Sequence, residues 1–385
     1  MGLGVEYGAH PLLPEEFEAY ALRHYPPSPA MQKTLQINRS TLISQRRTAL
    51  PLSHPHLNGP APAPVEASIS LFLSTGVALA ASAARRALSD WGGSVGEITH
   101  LVCVTVCASS NPGFDHYLAS SLGLPSVQKT LLHGIGCTGG LALLRHAAQL
   151  VLAGHVMGQK VTVLCVAAEM ASLYYRHALE DVHRLGVVSP AVTLFADGAG
   201  AFVVSSCPAP IPAPSTSTPA LADTLLPQAR KPIYTLRAYT TLTLPLSTSD
   251  LSVNLSSTGY NASLSRSVPL LTGQSFPPIL SSLQRALGTE LEAGEMDWAL
   301  HPGGAAIVKS VQKAAGVPEE RLKAVWEVYG ECGNMASATV VGVLQALRGW
   351  GVEGAEGAEG RGRRDVLATA FGPGVGVEMI MLRRG

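Results

Sequence analysis

The sequence predicts an α/β protein built on a buried parallel or mixed sheet with helices on both faces. Three observations carry that reading. Short, near-continuous apolar runs alternate with segments of helical spacing between residues 98 and 205. The same strand–helix plan returns in residues 232–382, after a Pro/Ser/Thr-rich connector, so the chain reads as an internal duplication. A length of 385 residues at 46% hydrophobic content supports two domains or one of double size.

In chain order, the N-terminus (MGLGVEYGAH) reads as a strand with no basic segment leading into a long apolar core, so no signal peptide is expected. Residues 11–30 give a short helix closed by prolines. Residues 31–48 set Lys33, Arg39, Arg46 and Arg47 among apolar positions. These basic residues read as a solvated helix face or, more sharply, as a basic rim for phosphates. Residues 49–64 are Pro-rich loop, and the alanine-rich 65–91 is a long helix ending at Gly92-Gly93.

Strands are expected at 98–107, 129–132, 160–167 and 198–205, with helices at 114–122 and 138–151. The connector 207–231 divides an N-terminal half (1–206) from a C-terminal half (232–385). The second half repeats the plan, with strands at 232–240, 298–300, 365–371 and 376–382. Its helices are expected at 274–292, 305–315, 319–328 and 335–350, and GVEGAEGAEGRGRR (351–364) is a low-complexity loop.

Charged residues make up only 14% of the chain and their formal sum is zero, which argues against a nucleic-acid partner. No apolar run is read as a membrane span. The six cysteines are scattered without a CxxC pair. That spacing points to a reducing, cytoplasmic setting and against a zinc site or a disulfide framework. Cys103 and Cys165 read as core thiols.

Three short stretches stand out: GIGCTGG around Cys137, LHPGGAAI around His301 and ECGNMASAT around Asn334. In each, a polar residue beside glycine is expected at a strand-to-helix junction, where open α/β folds place their sites. A thiol at a helix N-terminus is favoured as thiolate. Gly134, Gly136, Gly139 and Gly140 are read as letting a substrate approach the backbone. Alone, Cys137 reads as a buried thiol in a glycine turn, His301 as a satisfied strand-end histidine and Asn334 as a helix cap. Together they form a set suited to thiol chemistry, with a base beside the nucleophile and N–H donors for an oxyanion.

With these stretches in view, the chain resembles the type III polyketide synthases, chalcone-synthase-like enzymes, and their fungal branch in particular. The resemblance spans about residues 30–382. It rests on NPGFDHYLASSLGL (111–124), GCTGG (136–140), LFADGAGAFVV (194–204), HPGG (301–304), GNMASA (333–338) and FGPGVGVE (371–378). It implies a thiolase-like, five-layered αβαβα fold from two duplicated halves and a homodimer. It also implies malonyl-CoA and acyl-CoA as substrates, with neither metal nor redox cofactor. Cys137 would carry the growing acyl chain, His301 would keep it a thiolate, and Asn334 would join His301 in holding the enolate left when malonyl-CoA loses CO2. Phe195 matches the aromatic between the CoA tunnel and the cavity. Arg39, Arg46 and Ala306 fall at CoA-binding positions, and Pro373 and Gly374 in the loop that shapes the cavity.

The chain departs from the plant enzymes at several lining positions. Ala262 replaces a second gatekeeping aromatic, Tyr174 a threonine and Ala336 a serine, and Asn111 stands where a methionine crosses the dimer interface. Fewer small hydroxyls make the wall more apolar, which favours a fatty acyl starter, hexanoyl to stearoyl, and alkylpyrone or alkylresorcinol products. Two other readings stay open: a single-round β-ketoacyl synthase and a non-catalytic acyl-CoA-binding homologue.

Overall fold

The structure, a computed structural model, describes residues 2–206, 232–256, 259–351 and 362–385. The connector 207–231 and most of the 351–364 loop lie outside the described residues.

The first half runs β1 (Gly2–Tyr7), β2 (His10–Leu12), α1 (Pro14–His24), α2 (Pro29–Ser40), β3 (Arg46–Thr48), α3 (Pro55–Asn58) and α4 (Val65–Leu71). A π turn at Phe72–Gly76 leads into α5 (Val77–Trp91). The alternation follows with β4 (His100–Val104), α6 (Phe114–Ser121), β5 (Gln128–Leu132) and α7 (Gly139–Val156). It ends with β6 (Thr162–Met170), α8 (Tyr175–Leu185), α9 (Ala191–Leu194) and β7 (Asp197–Ser205). The short helix expected within 11–30 is α1, closed by prolines, and α2 follows it. The chain turns through Pro26 and Pro27, and Ser28 caps α2 by accepting from Met31 N.

The second half opens with β8 (Tyr234–Thr243), the hairpin β9 (Leu251–Ser256) and β10 (Gly259–Leu264), and α10 (Val268–Leu287). It continues with β11 (Met296–Leu300), α11 (Ala305–Ala315), α12 (Lys323–Cys332), α13 (Thr339–Arg348), β12 (Asp365–Gly372) and β13 (Gly376–Arg384). The hairpin was not expected, because its mixed polar residues carry no clean alternation.

The first sheet has the order β1-β7-β6-β4-β5; β6, β4 and β5 are parallel, and β7 and β1 run antiparallel to their neighbours. The second has the order β8-β13-β12-β11, with β12 and β11 parallel and β13 and β8 antiparallel to their neighbours. Thus β1, β7, β6 and β4 correspond to β8, β13, β12 and β11 in order and sense, and the duplication is visible in the pairing. Helix α5 covers the first sheet, α7 and α13 lie between the sheets, and α10 with α11 covers the second. This is the thiolase-like αβαβα stack.

Small residues set the closest approaches. A Cβ on Gly4 would stand 2.3 Å from Ala83 O, and one on Gly2 2.4 Å from Ala87 O, so β1 lies directly on the buried alanine face of α5. The run Val65–Trp91 is long and apolar enough to cross a membrane by length and composition, which corrects the reading that no such run exists. Here its apolar face packs on β1, β7 and β6.

The duplication reaches the turns. Gly136 opens a 3-10 turn (Gly136–Thr138) into α7 at φ +50°, and Ala336 opens one (Ala336–Ala338) into α13 at φ +44°. Ser337 is therefore the second half's counterpart of Cys137.

Candidate active site

Cys137 sits half-buried in the turn between β5 and α7. Its glycines do a different job from the one expected. A Cβ on Gly140 would lie 2.4 Å from Ser337 O, and one on Gly139 2.9 Å from Ser337 Cβ. These two glycines let the turns leading into α7 and α13 touch, rather than admitting a substrate. Gly136 lies against Pro373, 2.5 Å from a hypothetical Cβ, while the space beside Gly134 is open.

His301 follows β11 directly and is 1% exposed. Its backbone N–H donates to Thr369 O at 2.8 Å, but neither ring nitrogen has a hydrogen-bond partner among the described residues. Asn334 is buried too, and it lies between two helices, α12 and α13, not at a strand end. That corrects the expected placement. Its backbone spans the sheet's neighbourhood instead: Asn334 N donates to Leu194 O at 3.0 Å and Ala196 N donates to Asn334 O at 2.8 Å. Its side chain caps the following turn, Oδ1 accepting from Ala336 N at 2.8 Å, while Nδ2 donates to Gly303 O at 3.2 Å. The cap reading holds, and the second bond ties Asn334 to the HPGG turn.

The surroundings of the two groups set their electrostatics. Burial, followed by the nearby Glu169 carboxylate, pushes the Cys137 thiol up to about 12, and burial pushes His301 down to about 3. Burial thus works against the charged form of each group. Glu169 is itself fully buried and raised to about 7 by desolvation. It accepts from Thr105 Oγ1, Val106 N, Cys107 Sγ and Ser337 Oγ, donors that offset part of that burial.

Beside this group opens a cavity of about 550 Å3. Phe195, Tyr174, Ala262 and Ala336 line it, as expected of cavity residues. So do Glu169, Cys107 and Tyr260, which the sequence reading passed over. Glu169 was findable as the one charge inside an otherwise apolar strand. The hydroxyl of Tyr174 donates to Cys107 O at 2.7 Å, and its ring meets Tyr260 edge-on at 5.0 Å. Cys137, His301 and Asn334 stand next to the cavity rather than in its lining; Ala336, two residues past Asn334, joins the two. Pro373 and Gly374 touch the Cys137 turn and Thr248, respectively, and Gly374 adopts φ +68°. Asn111 is exposed in the loop before α6, outside the cavity.

The expected CoA positions diverge. Arg39 and Ala306 are exposed, and Arg39 forms a two-pronged ion pair with Glu18, 2.6 Å at its shortest. Arg46 is 3% exposed and belongs to no basic rim, which corrects its assignment. Its guanidinium lies against the Phe17 and Tyr175 rings, and its Nη1 donates to backbone carbonyls. Among the described residues no group of three or more His, Cys, Asp or Glu side chains is arranged to hold a metal ion.

Comparison with known proteins places these features in a family. Residues 29–208 match the N-terminal domain of chalcone and stilbene synthases, and residues 236–384 match the C-terminal domain. The chain is 32% identical to the acylalkylpyrone synthase CsyB of Aspergillus oryzae, over 100% of this chain and 94% of that protein. The solved type III pentaketide synthase from Neurospora crassa superposes with a TM-score of 0.90 at 36% identity, covering 100% of this chain and 98% of that one. CsyB complexed with CoA-SH superposes with a TM-score of 0.89 at 31% identity, covering 100% and 99%.

Proposed function

Because this chain belongs to the chalcone and stilbene synthase family, the type III polyketide synthases, we propose that it extends an acyl-CoA starter on Cys137 by repeated decarboxylative condensation with malonyl-CoA. The observation that carries this reading is His301, buried with both ring nitrogens unpartnered beside an asparagine amide fixed by Gly303. Buried polar atoms normally find partners. A thioester or enolate oxygen supplies one.

Loading starts from the neutral pair. As Cys137 Sγ attacks the acyl-CoA carbonyl, its proton passes to His301, and the departing CoA thiolate takes it up. In the extension step, the bond between the malonyl carboxylate and its methylene breaks, CO2 leaves, and the electron pair enters the acetyl-CoA enolate. The N–H of the His301 ring, neutral again once the CoA thiolate has taken the proton, and the second N–H of Asn334 Nδ2 hold the enolate oxygen. The enolate carbon then attacks the Cys137 thioester: the C–C bond forms, the bond between the acyl carbon and Cys137 Sγ breaks, Cys137 leaves as a thiolate, and the extended chain, now the CoA thioester of the attacking unit, is reloaded onto it with release of CoA. The cycle draws on CoA thioesters alone, with no metal or redox cofactor.

The starter is a fatty acyl group. Support comes from the apolar cavity wall, including Val106, Ala171, Leu185, Val187 and Leu264, and from a relative named as an acylalkylpyrone synthase. The products are alkylpyrones or alkylresorcinols. The enzyme acts as a homodimer, a state the exposed edge of β5 leaves room for.

The experiment is a product assay. Purified protein receives radiolabelled malonyl-CoA and starters from hexanoyl- to stearoyl-CoA, alongside Cys137→Ala. Labelled pyrones or resorcinols that vanish in Cys137→Ala establish the reading. Conversion of aromatic starters only would overturn the fatty acyl assignment, and a single malonyl unit per product would identify a one-round synthase.

A further inference from the structure

The geometry points to Arg46 as a positioning residue that sets Phe195 and Asn334 from behind the cavity wall. The inference rests on the condensing reading of Asn334, but its structural half stands apart from it.

Arg46 is outside the cavity lining, yet each of its polar partners is in it. Nη1 donates to Tyr175 Oη at 3.1 Å, to Val192 O at 2.6 Å and to Phe195 O at 3.2 Å. Tyr175 Oη in turn donates to Phe195 O at 2.7 Å, so that one carbonyl takes two donors. The guanidinium centre lies 4.4 Å from the Phe17 ring centre and 5.0 Å from that of Tyr175, beside two rings that meet edge to face. Asp197, its nearest acidic influence, has its carboxylate occupied by Ala49 N and by Ser172.

The same side chain reaches the other flank of the site. A Cβ on Gly333 would lie 2.9 Å from Arg46 Cγ, and Gly333 holds φ +76° immediately before Asn334. Phe195 and Asn334 are themselves bridged strand-fashion, with Leu194 O and Ala196 N bonded to the Asn334 backbone. Arg46 therefore grips the pair on both sides: through the carbonyl of Phe195 and against the residue preceding Asn334. A lysine could not replace it. An ammonium is a compact, strongly hydrated charge without the delocalised planar group that packs against the Phe17 and Tyr175 rings.

The consequence is a split effect. Among the described residues Cys137 shares no hydrogen bond with this network, whereas the enolate-holding amide depends on it. A displacement of about 1 Å at a catalytic group costs on the order of 100-fold in rate.

The test uses Arg46→Met, Arg46→Lys and the milder Tyr175→Phe, which keeps the ring and removes one donor to Phe195 O. Hydrogen exchange should quicken in peptides covering 192–197 and 333–336 in all three, with the β4–β6 core unchanged. In activity, CO2 release from malonyl-CoA should fall about 10- to 100-fold, while transfer of a labelled acyl group onto Cys137 stays within about twofold. Lysine should not rescue. Unchanged exchange in Tyr175→Phe, or loading and decarboxylation falling together, would overturn the assignment. A wild-type protein that neither loads nor decarboxylates would sink the condensing reading instead, and the exchange experiment would still decide the structural role of Arg46.

Discussion

The side-chain amide of Asn334 donates to the carbonyl oxygen of Gly303 at 3.2 Å, joining two turns that lie 31 positions apart in sequence. That bond orients the amide toward the His301 turn. Asn334→Ala removes both the bond and the acceptor for Ala336 N. Removing a preformed oxyanion donor costs about 100- to 1,000-fold. We expect malonyl-CoA decarboxylation to fall by that factor while acyl loading of Cys137 persists, as read by labelled CO2 and by mass spectrometry of the acylated peptide.

Burial works against the charged forms of Cys137 and His301, raising one to about 12 and lowering the other to about 3. Alkylation requires the thiolate. Inactivation by iodoacetamide should therefore be slow at pH 7 and climb about tenfold per pH unit up to pH 10. A plateau at pH 6–7 would instead mean a preformed thiolate–imidazolium pair. Glu169→Gln removes a charge that raises the thiol, so it should quicken alkylation at a given pH.

Glu169 also ties stability to pH. Its folded value, about 7, lies above the ordinary carboxylate value of 4.5. Its protonated form is thus favoured by folding, and its contribution is fully present below pH 4.5 and lost as pH rises through 7. Urea unfolding of wild type and Glu169→Gln should diverge over that window, the glutamine variant losing less, by on the order of 3 kcal/mol at most.

Ala262 opens the cavity from the β10 side, and Tyr174 closes it from α8's approach. Ala262→Phe should shift starter preference toward shorter acyl groups by about tenfold in kcat/KM, since each buried methylene contributes about 0.8 kcal/mol and two or more lose their place. A starter competition assay measures this. No shift would place the acyl chain elsewhere.

Asp297 is fully buried and takes Arg321 Nη1 at 3.2 Å, Arg384 Nη1 at 2.7 Å and Arg363 N at 2.8 Å. It clamps β11 to the end of β13. Asp297→Ala removes the carboxylate that the buried Arg384 guanidinium faces at 2.7 Å, and we expect a loss of about 3–5 kcal/mol in chemical denaturation.

The sequence by itself determined the α/β class, the duplicated plan and the three turns that carry Cys137, His301 and Asn334. Those features are local: apolar strand runs, helix periodicity and glycines at sharp turns are written within a dozen residues of each other. Only the tertiary structure decided what each turn does. Gly139 and Gly140 read locally as room for a ligand, but Ser337, nearly 200 positions on, occupies that room. Arg46 reads locally as a surface charge because its neighbours are basic and polar. It is buried because Tyr175, 129 positions away, and Phe195 supply the rings and carbonyls that make burial tolerable. The state of the Cys137 thiol was likewise out of reach, since desolvation is a sum over every chain segment packed around it. Motifs specify which groups meet; the dielectric and the geometry in which they meet are set by contacts between parts of the chain far apart in sequence.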